Sequence, residues 1–266
     1  MTNNFIGDAV KSTKQVNYKQ SFLDKLYSVY NLPKAQRELA CCASELGIKV
    51  KKIGRVLGVR WAASSFQTVE AIWSNCSGLY PALVSHCKES SDQGSSSSTH
   101  QGMLSTIQST EIIHSLAALH DVLKEICIVS EAVQVQDCNL TLAYKLISRL
   151  TRALKSQTEG RGDCFEEYQS SVDLKEFKGV KLTSQSRIRK MNREAFFQAL
   201  IDNVASRLEG TVASGARRER DNGELRNLLL DIDAVDPTKW PSGVGSHWSQ
   251  GEQRVRTLCD RFKIQF

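Results

Sequence analysis

The sequence predicts a mainly α-helical protein. Apolar residues recur at intervals of three and four along most of the 266 residues, which is the spacing of one helix face. Only four prolines are present, where an average usage of roughly 5% would give about thirteen; they are Pro33, Pro81, Pro237 and Pro241. No strand-rich block or internal repeat is visible. Long helices, with the prolines at their boundaries, are the expected architecture.

Two helices are predicted near the start of the chain, and Pro33 marks the boundary between them. Phe22, Leu23, Leu26 and Val29 share one face of the first helix. Pro33 suits the first turn of the second helix, because that position needs no backbone N–H donor. The second helix is expected to turn Leu39, Ala43 and Leu46 inward and to end at Gly47, since glycine readily adopts the left-handed conformation of a helix C-cap.

A basic connector and a third helix follow. Residues 48–59 mix β-branched residues with glycines, which favours a strand or an extended loop. Trp61 then opens a helix whose apolar face carries Phe66, Val69, Ile72, Trp73 and Cys76. Gly78 and Pro81 predict a break before a shorter helix. Residues 88–102 are polar, serine-rich and without periodicity, so we expect a flexible surface loop there.

The middle of the chain has the strongest helical pattern. One stripe comprises Ile112, Ile113, Leu116, Leu119, Leu123 and Ile126, and a second comprises Leu142, Leu146, Ile147, Leu150 and Leu154. We expect these two helices to pack as an antiparallel pair joined near residues 136–139. An irregular basic segment over 175–193 precedes a helix with Phe196, Leu200 and Val204 that closes at Gly210, and Val255, Leu258 and Phe262 mark the last helix.

Composition leaves the class of partner open. The net charge of +6 permits an anionic partner without requiring one. No run of about 18 apolar residues is present to span a bilayer, and the first residues lack the features of a secretory signal. We therefore expect a reducing compartment, in which the eight cysteines are mostly small buried hydrophobic residues.

Catalytic and metal-binding patterns are weak. Cys76, His86 and Cys87 form the nearest approach to a zinc site, but their spacing matches none of the usual paired ligands. Asp231, Asp233 and Asp236 suit turn chemistry better than a metal centre. No nucleophile elbow or phosphate-binding loop is present. The residues therefore predict no catalytic site, no metal site, no cofactor and no small-molecule substrate.

Basic residues next to a tryptophan give the sharpest functional signal. Cations together with an exposed ring are what contact with a nucleic-acid backbone and stacking on a base require. The candidate DNA-binding residues are Lys51, Lys52, Arg55, Arg60 and Trp61, beside Lys49. The alternative is that Trp61 packs in the core and that the charges are only solvated. Arg187, Arg189, Lys190 and Arg193 form a second basic group.

Several of these features occur together in one known superfamily. The segments concerned are Arg60-Trp61-Ala-Ala-Ser, Val69-Glu-Ala-Ile-Trp73 and Tyr80-Pro-Ala-Leu-Val-Ser-His86, preceded by Phe22 to Tyr30 and followed by Phe196 to Ile201 and Asp231 to Pro241. In this order they resemble the hAT-superfamily transposases, in particular the zinc-finger proteins domesticated from them. The resemblance covers nearly the whole chain.

The resemblance implies a particular domain organisation. In that superfamily a ribonuclease-H-like core is interrupted by a helical insertion domain. Residues 1–60 then correspond to a remnant of the core with the basic connector, including at most one or two short strands, and residues 61–266 to the helical insertion-type domain, with its flexible loop at 88–102. The family's catalytic Asp/Asp/Glu set falls outside the matching stretch, so the resemblance implies a protein that is not an enzyme.

The same resemblance implies a nuclear protein that interacts with DNA or chromatin, or with other nuclear proteins, and not with membranes. Arg60 and Trp61 match the family's Arg-Trp pair, whose tryptophan assists a distorted DNA end, which stacking on an unpaired base would explain. The alternatives are a protein-interaction scaffold that does not bind DNA and a truncated gene product without function.

Overall fold

A computed structural model describes residues 14–55, 61–89, 94–134, 140–185, 187–209, 227–228, 231–232, 234–235 and 248–264. The chain divides into two compact units, one formed by residues 1–131 and 150–203 and the other by residues 132–149 and 204–266. The domain division at 60/61 that the resemblance implies stays a prediction.

Helices make up most of the described residues, as the sequence predicts. In chain order they are α1 (Lys14–Tyr30), α2 (Pro33–Glu45), α3 (Trp61–Glu89), α4 (Gly94–Ile107), α5 (Thr110–Val133), α6 (Leu140–Thr158), α7 (Asp163–Leu174), α8 (Arg193–Glu209) and α9 (Trp248–Phe262). Two short strands, β1 (Glu176–Phe177) and β2 (Val180–Lys181), lie between α7 and α8. None of the described helices is both long and apolar enough to cross a bilayer.

The boundary between α1 and α2 is confirmed at Pro33. This residue occupies the first turn of α2, and Leu32 before it is extended. Gly47 has a φ of +68°, as a helix C-cap glycine should. Leu39 and Ala43 face the core, but the prediction for Leu46 is wrong, because its side chain is 52% exposed. The helix ends at Glu45, so Leu46 lies beyond the buried stripe.

Helix α3 is continuous, and the predicted break at Gly78 and Pro81 is wrong. Pro81 lies inside the helix. A proline removes one helical hydrogen bond and normally kinks the chain, but Leu79, Ala82 and Leu83 around it are fully buried. Packing therefore outweighs local preference here. Gly78 has a different role, because a Cβ at this position would lie 3.3 Å from the Cβ of Ala43, so the glycine lets α2 and α3 approach closely.

The flexible loop predicted for residues 88–102 is also wrong where the structure describes this stretch. Residues 88 and 89 end α3, and residues 94–102 belong to α4. Met103 and Ile107 are buried and attach this serine-rich helix to the core. The His100 ring stacks on the His86 ring of α3 with centroids 5.2 Å apart. Tertiary contacts thus stabilise a sequence that has little helical periodicity of its own.

Helix α5 is the central element of the first unit. Every residue from Ile112 to Leu123 is buried, and a helix that is buried all round lies in the middle of its unit. The predicted apolar stripe of α5 is therefore buried along its length. Of the predicted stripe of α6, Leu150 and Leu154 are buried, whereas Leu142 is 43% exposed. Within the first unit, the Gln157 amide near the end of α6 donates to the backbone oxygen of Asp121, 3.2 Å away. The predicted connection at 136–139 lies outside the described residues.

The two strands form a tight hairpin within the predicted irregular segment. Phe177 pairs with Val180, and Lys178 and Gly179 between them both have positive φ angles, as a type I′ turn requires. Phe177 and Val180 are buried, and Phe177 packs on Trp73 of α3 with ring centroids 4.6 Å apart. The resemblance implies at most one or two short strands in residues 1–60, and the described residues 14–55 contain none.

Candidate functional site

The basic connector contains neither helix nor strand over its described residues 48–55 and is held against α3 by side chains of that helix. Lys51 donates its backbone N–H to Oδ1 of Asn75 over 2.9 Å, and Nδ2 of Asn75 donates to the Lys51 backbone oxygen over 2.6 Å. Asn75 is 1% exposed, so both bonds are shielded from water. The Thr68 hydroxyl donates to the Gly54 backbone oxygen at 2.9 Å, and Ile53 is buried. The backbone of this segment is therefore fixed by side chains of one helix.

The anchored segment turns its cations outward. We call residues 49–55 the basic segment; Lys49, Lys51, Lys52 and Arg55 on it are all exposed. Lys51 forms an ion pair with Glu70 of α3, so its charge is partly neutralised. Of the other candidate DNA-binding residues, Arg60 lies outside the described residues and Trp61 begins α3 with a side chain that is also outside them. The structure thus brings Lys51, Lys52 and Arg55 together on one short segment.

The second basic group is divided between surface and core. Arg187, Arg189 and Lys190 are exposed. Arg193 instead places its guanidinium 3.9 Å from the centre of the Phe165 ring and donates to the Thr158 backbone oxygen over 2.9 Å. A guanidinium over an aromatic ring is a stabilising contact. Arg193 therefore serves packing within the first unit.

A buried polar chain lies directly behind the basic segment. The partner of Lys51, Glu70, also hydrogen-bonds to Nε2 of His120. On the other side of the imidazole, Nδ1 lies 3.0 Å from Sγ of Cys164. The chain of contacts therefore runs from a surface cation through a carboxylate and an imidazole to a buried thiol.

The surroundings of this polar chain shift the pKa values of Glu70, His120 and Cys164. Burial raises the pKa of Glu70, but the hydrogen bonds from Lys51 and His120 outweigh it and hold the pKa at about 2. Burial lowers the pKa of His120, yet the neighbouring carboxylates of Asp121 and Glu70 outweigh that effect and the pKa lies above the ordinary value. Burial, reinforced by the Asp121 charge, raises the pKa of the Cys164 thiol. A thiol in this state is a poor nucleophile.

Asp121 serves the start of α7. Its Oδ1 accepts the backbone N–H of Cys164 over 3.1 Å and its Oδ2 that of Phe165 over 3.0 Å. These are donors that a helix start leaves without an intrahelical partner, and the residue preceding α7, Gly162, provides no side-chain cap. A carboxylate at a helix N-terminus is also favoured by the helix dipole. Asp121 therefore replaces the missing local cap.

Three side chains of this region offer metal-binding atoms to one point. The residues are His120, Asp121 and Cys164, and all three are buried. Each offers one ligand atom, and these three atoms lie within 4.8 Å of one another. No other group of three such side chains occurs among the described residues, so Cys76, His86 and Cys87 do not converge there. His86 instead places its Nε2 3.0 Å from Oε2 of Glu38.

Asp121 also borders a cleft on the surface of the first unit. The lining residues are Asp121, Lys124, Glu125, Ala153, Ser156, Gln157, Arg161, Gly162 and Asp163. Most of them are polar or charged, and Lys124 forms an ion pair with Asp163 at 2.9 Å. The buried carboxylate is thus connected to solvent on one side.

Sequence reasoning missed this buried cluster. Cys164 follows His120 and Asp121 by more than forty positions, so no short motif joins them. One signal was available, because an adjacent histidine and aspartate interrupt the apolar stripe of α5. A charged residue within a helix that is otherwise apolar indicates a buried polar site.

No family model, curated protein or solved structure matches the chain. The relation to hAT transposases therefore stays a prediction that depends on the residues quoted above.

Proposed function

We propose that the protein is a non-enzymatic DNA-binding module, related to the domesticated hAT transposases, and that it contacts the phosphate backbone through the basic segment. The observation that carries the proposal is the fixed, outward-facing set of cations at Lys49, Lys52 and Arg55. Phosphate contacts dominate the affinity of proteins for DNA. The nucleus as its location depends on the resemblance alone.

Preorganisation supports this assignment. The Asn75 bonds and the buried Ile53 fix the backbone before any partner arrives. A segment that is already ordered loses little conformational entropy on binding. Lys51 is assigned a lesser part, because its ion pair with Glu70 competes with phosphate. Arg60 and Trp61 continue the proposed surface on the strength of the resemblance.

A salt titration tests the proposal. Binding of the full chain to duplex and hairpin DNA is measured by fluorescence anisotropy at several salt concentrations. The slope of log K against log salt falls by about 0.9 for each lost phosphate contact. The double variant Lys52→Ala/Arg55→Ala is therefore expected to bind more weakly, with a slope about 1.8 smaller than that of the unsubstituted protein. Separate Arg60→Ala and Trp61→Ala variants test the Arg-Trp pair.

The control has the same charge change in another place. Arg152 and Lys155 are exposed on α6 and have the same types and spacing as the test pair. The variant Arg152→Ala/Lys155→Ala should leave the slope unchanged. Equal losses in both double variants would mean that only net charge matters and would contradict the assignment to the basic segment. Absence of binding at low salt would overturn DNA binding itself and favour the protein-interaction alternative.

A further inference from the structure

The buried cluster behind the basic segment has the composition of a zinc site. An imidazole nitrogen, a thiol sulfur and a carboxylate oxygen are all ligands that zinc takes in proteins. We propose that Nδ1 of His120, Sγ of Cys164 and the carboxylate of Asp121 bind one zinc ion. This site is independent of the proposed DNA-binding function.

The distances suit tetrahedral coordination. With zinc bonds of about 2.0 Å to nitrogen or oxygen and 2.3 Å to sulfur, ligand atoms should be about 3.3 to 3.6 Å apart. Nδ1 of His120 lies 3.7 Å from Oδ1 of Asp121 and 3.0 Å from Sγ of Cys164. The distance from Nδ1 to Sγ is about half an ångström too short and the distance from Nδ1 to Oδ1 is slightly too long, so small shifts of these side chains would open the space that the ion needs.

The charges also balance. Zinc binding requires the thiolate, so Cys164 releases its proton to solvent as the ion binds. The thiolate and the Asp121 carboxylate together supply two negative charges, which neutralise the two positive charges of the ion, while His120 stays neutral. The outer pair of Glu70 and Lys51 is neutral by itself. The filled site therefore leaves no net charge buried in the unit.

Glu70 is placed to orient the histidine ligand. A metal-bound imidazole usually donates its other N–H to a carboxylate, which fixes the ring and its tautomer. Nε2 of His120 faces Glu70, so Nδ1 is directed at Cys164. Lys51 in turn holds Glu70 from the surface. Both residues are positioning residues in this proposal and do not contact the ion.

Three protein ligands leave one coordination position for water. Asp121 lines the polar cleft that opens beside Gly162 and Asp163, and this cleft gives the ion and the water a route to the site. A catalytic thiol is the competing explanation for a cysteine beside a histidine. Cys164 is only 7% exposed, whereas a nucleophilic cysteine must be accessible to its substrate.

Metal analysis of the purified full chain tests the proposal. Dialysed protein is expected to retain one equivalent of zinc, and Co²⁺ put in its place should give thiolate-to-cobalt charge-transfer absorption. Cys164→Ser should abolish this absorption, and His120→Gln should weaken metal binding at least tenfold. Cys127→Ser and His114→Gln are matched controls, because both residues are buried in α5 outside the cluster, and both variants should keep the absorption.

A measurement on the unsubstituted protein tests the zinc site even where the variants fail to fold. X-ray absorption at the zinc edge should show one sulfur at about 2.3 Å and nitrogen or oxygen ligands at about 2.0 Å. A shell without sulfur, a shell with two or more sulfurs, or a protein that binds neither zinc nor Co²⁺ would overturn the proposal. None of these results affects the DNA-binding test, which measures binding through a different surface.

Discussion

Gly162 gives Asp121 the room it needs to cap α7. A Cβ built on Gly162 would lie only 2.9 Å from Cγ of Asp121, a separation that real side chains do not adopt. The absence of a side chain at position 162 is therefore a condition for the two hydrogen bonds from Asp121 to the backbone of α7. The glycine and the aspartate act as a pair.

The variant Gly162→Ala is expected to destabilise the protein by about 2 kcal/mol, because the displaced carboxylate loses its bonds to the helix start. Urea unfolding gives the free energy of unfolding. Gly102→Ala is the opposite control, since a Cβ there meets nothing within 4 Å in the interior of α4, and it should stabilise by about 0.5 kcal/mol. Equal effects of the two substitutions would contradict the role given to Gly162.

Glu70 should make stability depend on acid pH. Its pKa of about 2 in the folded protein lies below its ordinary value of 4.5. Because the folded pKa is depressed, the contribution is complete above pH 4.5 and is lost as the pH falls toward 2. The difference in the free energy of unfolding between the unsubstituted protein and Glu70→Gln should therefore shrink from pH 5 to pH 3. Glu131→Gln, at an exposed position of α5, is the control for the loss of one carboxylate.

Lys178 is expected to stabilise the contact between the hairpin and α3. Its ammonium group lies 5.2 Å from the centre of the Trp73 ring, donates to the Trp73 backbone oxygen over 3.2 Å and lies 3.4 Å from Glu167. Lys178→Met keeps the side-chain length and should cost about 1 kcal/mol in urea unfolding. Lys181→Met, at an exposed position of the same hairpin, should change stability by less than about 0.5 kcal/mol. If both variants unfold alike, the contact has no energetic role.

Cysteine reactivity should follow burial. Cys41 is exposed on α2, whereas Cys76 is 1% exposed on α3, where burial raises the pKa of its thiol to about 12. Iodoacetamide should therefore label Cys41 in native protein and label Cys76 only after unfolding. Peptide mapping by mass spectrometry measures the two rates. Similar rates for the two residues in native buffer would show that the core around Cys76 opens readily.

The helical spacing of apolar residues was sufficient to predict a helix where the apolar stripe is long. The apolar stripe from Ile112 to Ile126 predicts a helix, and α5 is that helix. The prediction succeeds because every member of the stripe is buried. Pro33 also acted locally, because its fixed backbone angle suits the first turn of a helix. For these elements, local chemistry and tertiary packing favour the same conformation.

The sequence led to wrong predictions where local preference and tertiary packing favour different conformations. Pro81 and the serine-rich start of α4 indicate a break and a loop, but the buried Leu79, Leu83 and Ile107 stabilise helices on both stretches. These contacts join residues distant in sequence, and local propensity contains no information about them. The cluster at His120 escaped prediction for the same reason, because α7 contributes Cys164 from more than forty positions away.

The cap that Asp121 gives to α7 also sets an order of folding. A helix with a local cap can start by itself, but α7 depends on a carboxylate that arrives only after the intervening chain has closed into a loop, at a cost in entropy. We expect the first turn of α7 to form after α5 has taken its place. In pulse-labelled hydrogen exchange, the amides of Cys164 and Phe165 should gain protection later than those of α5.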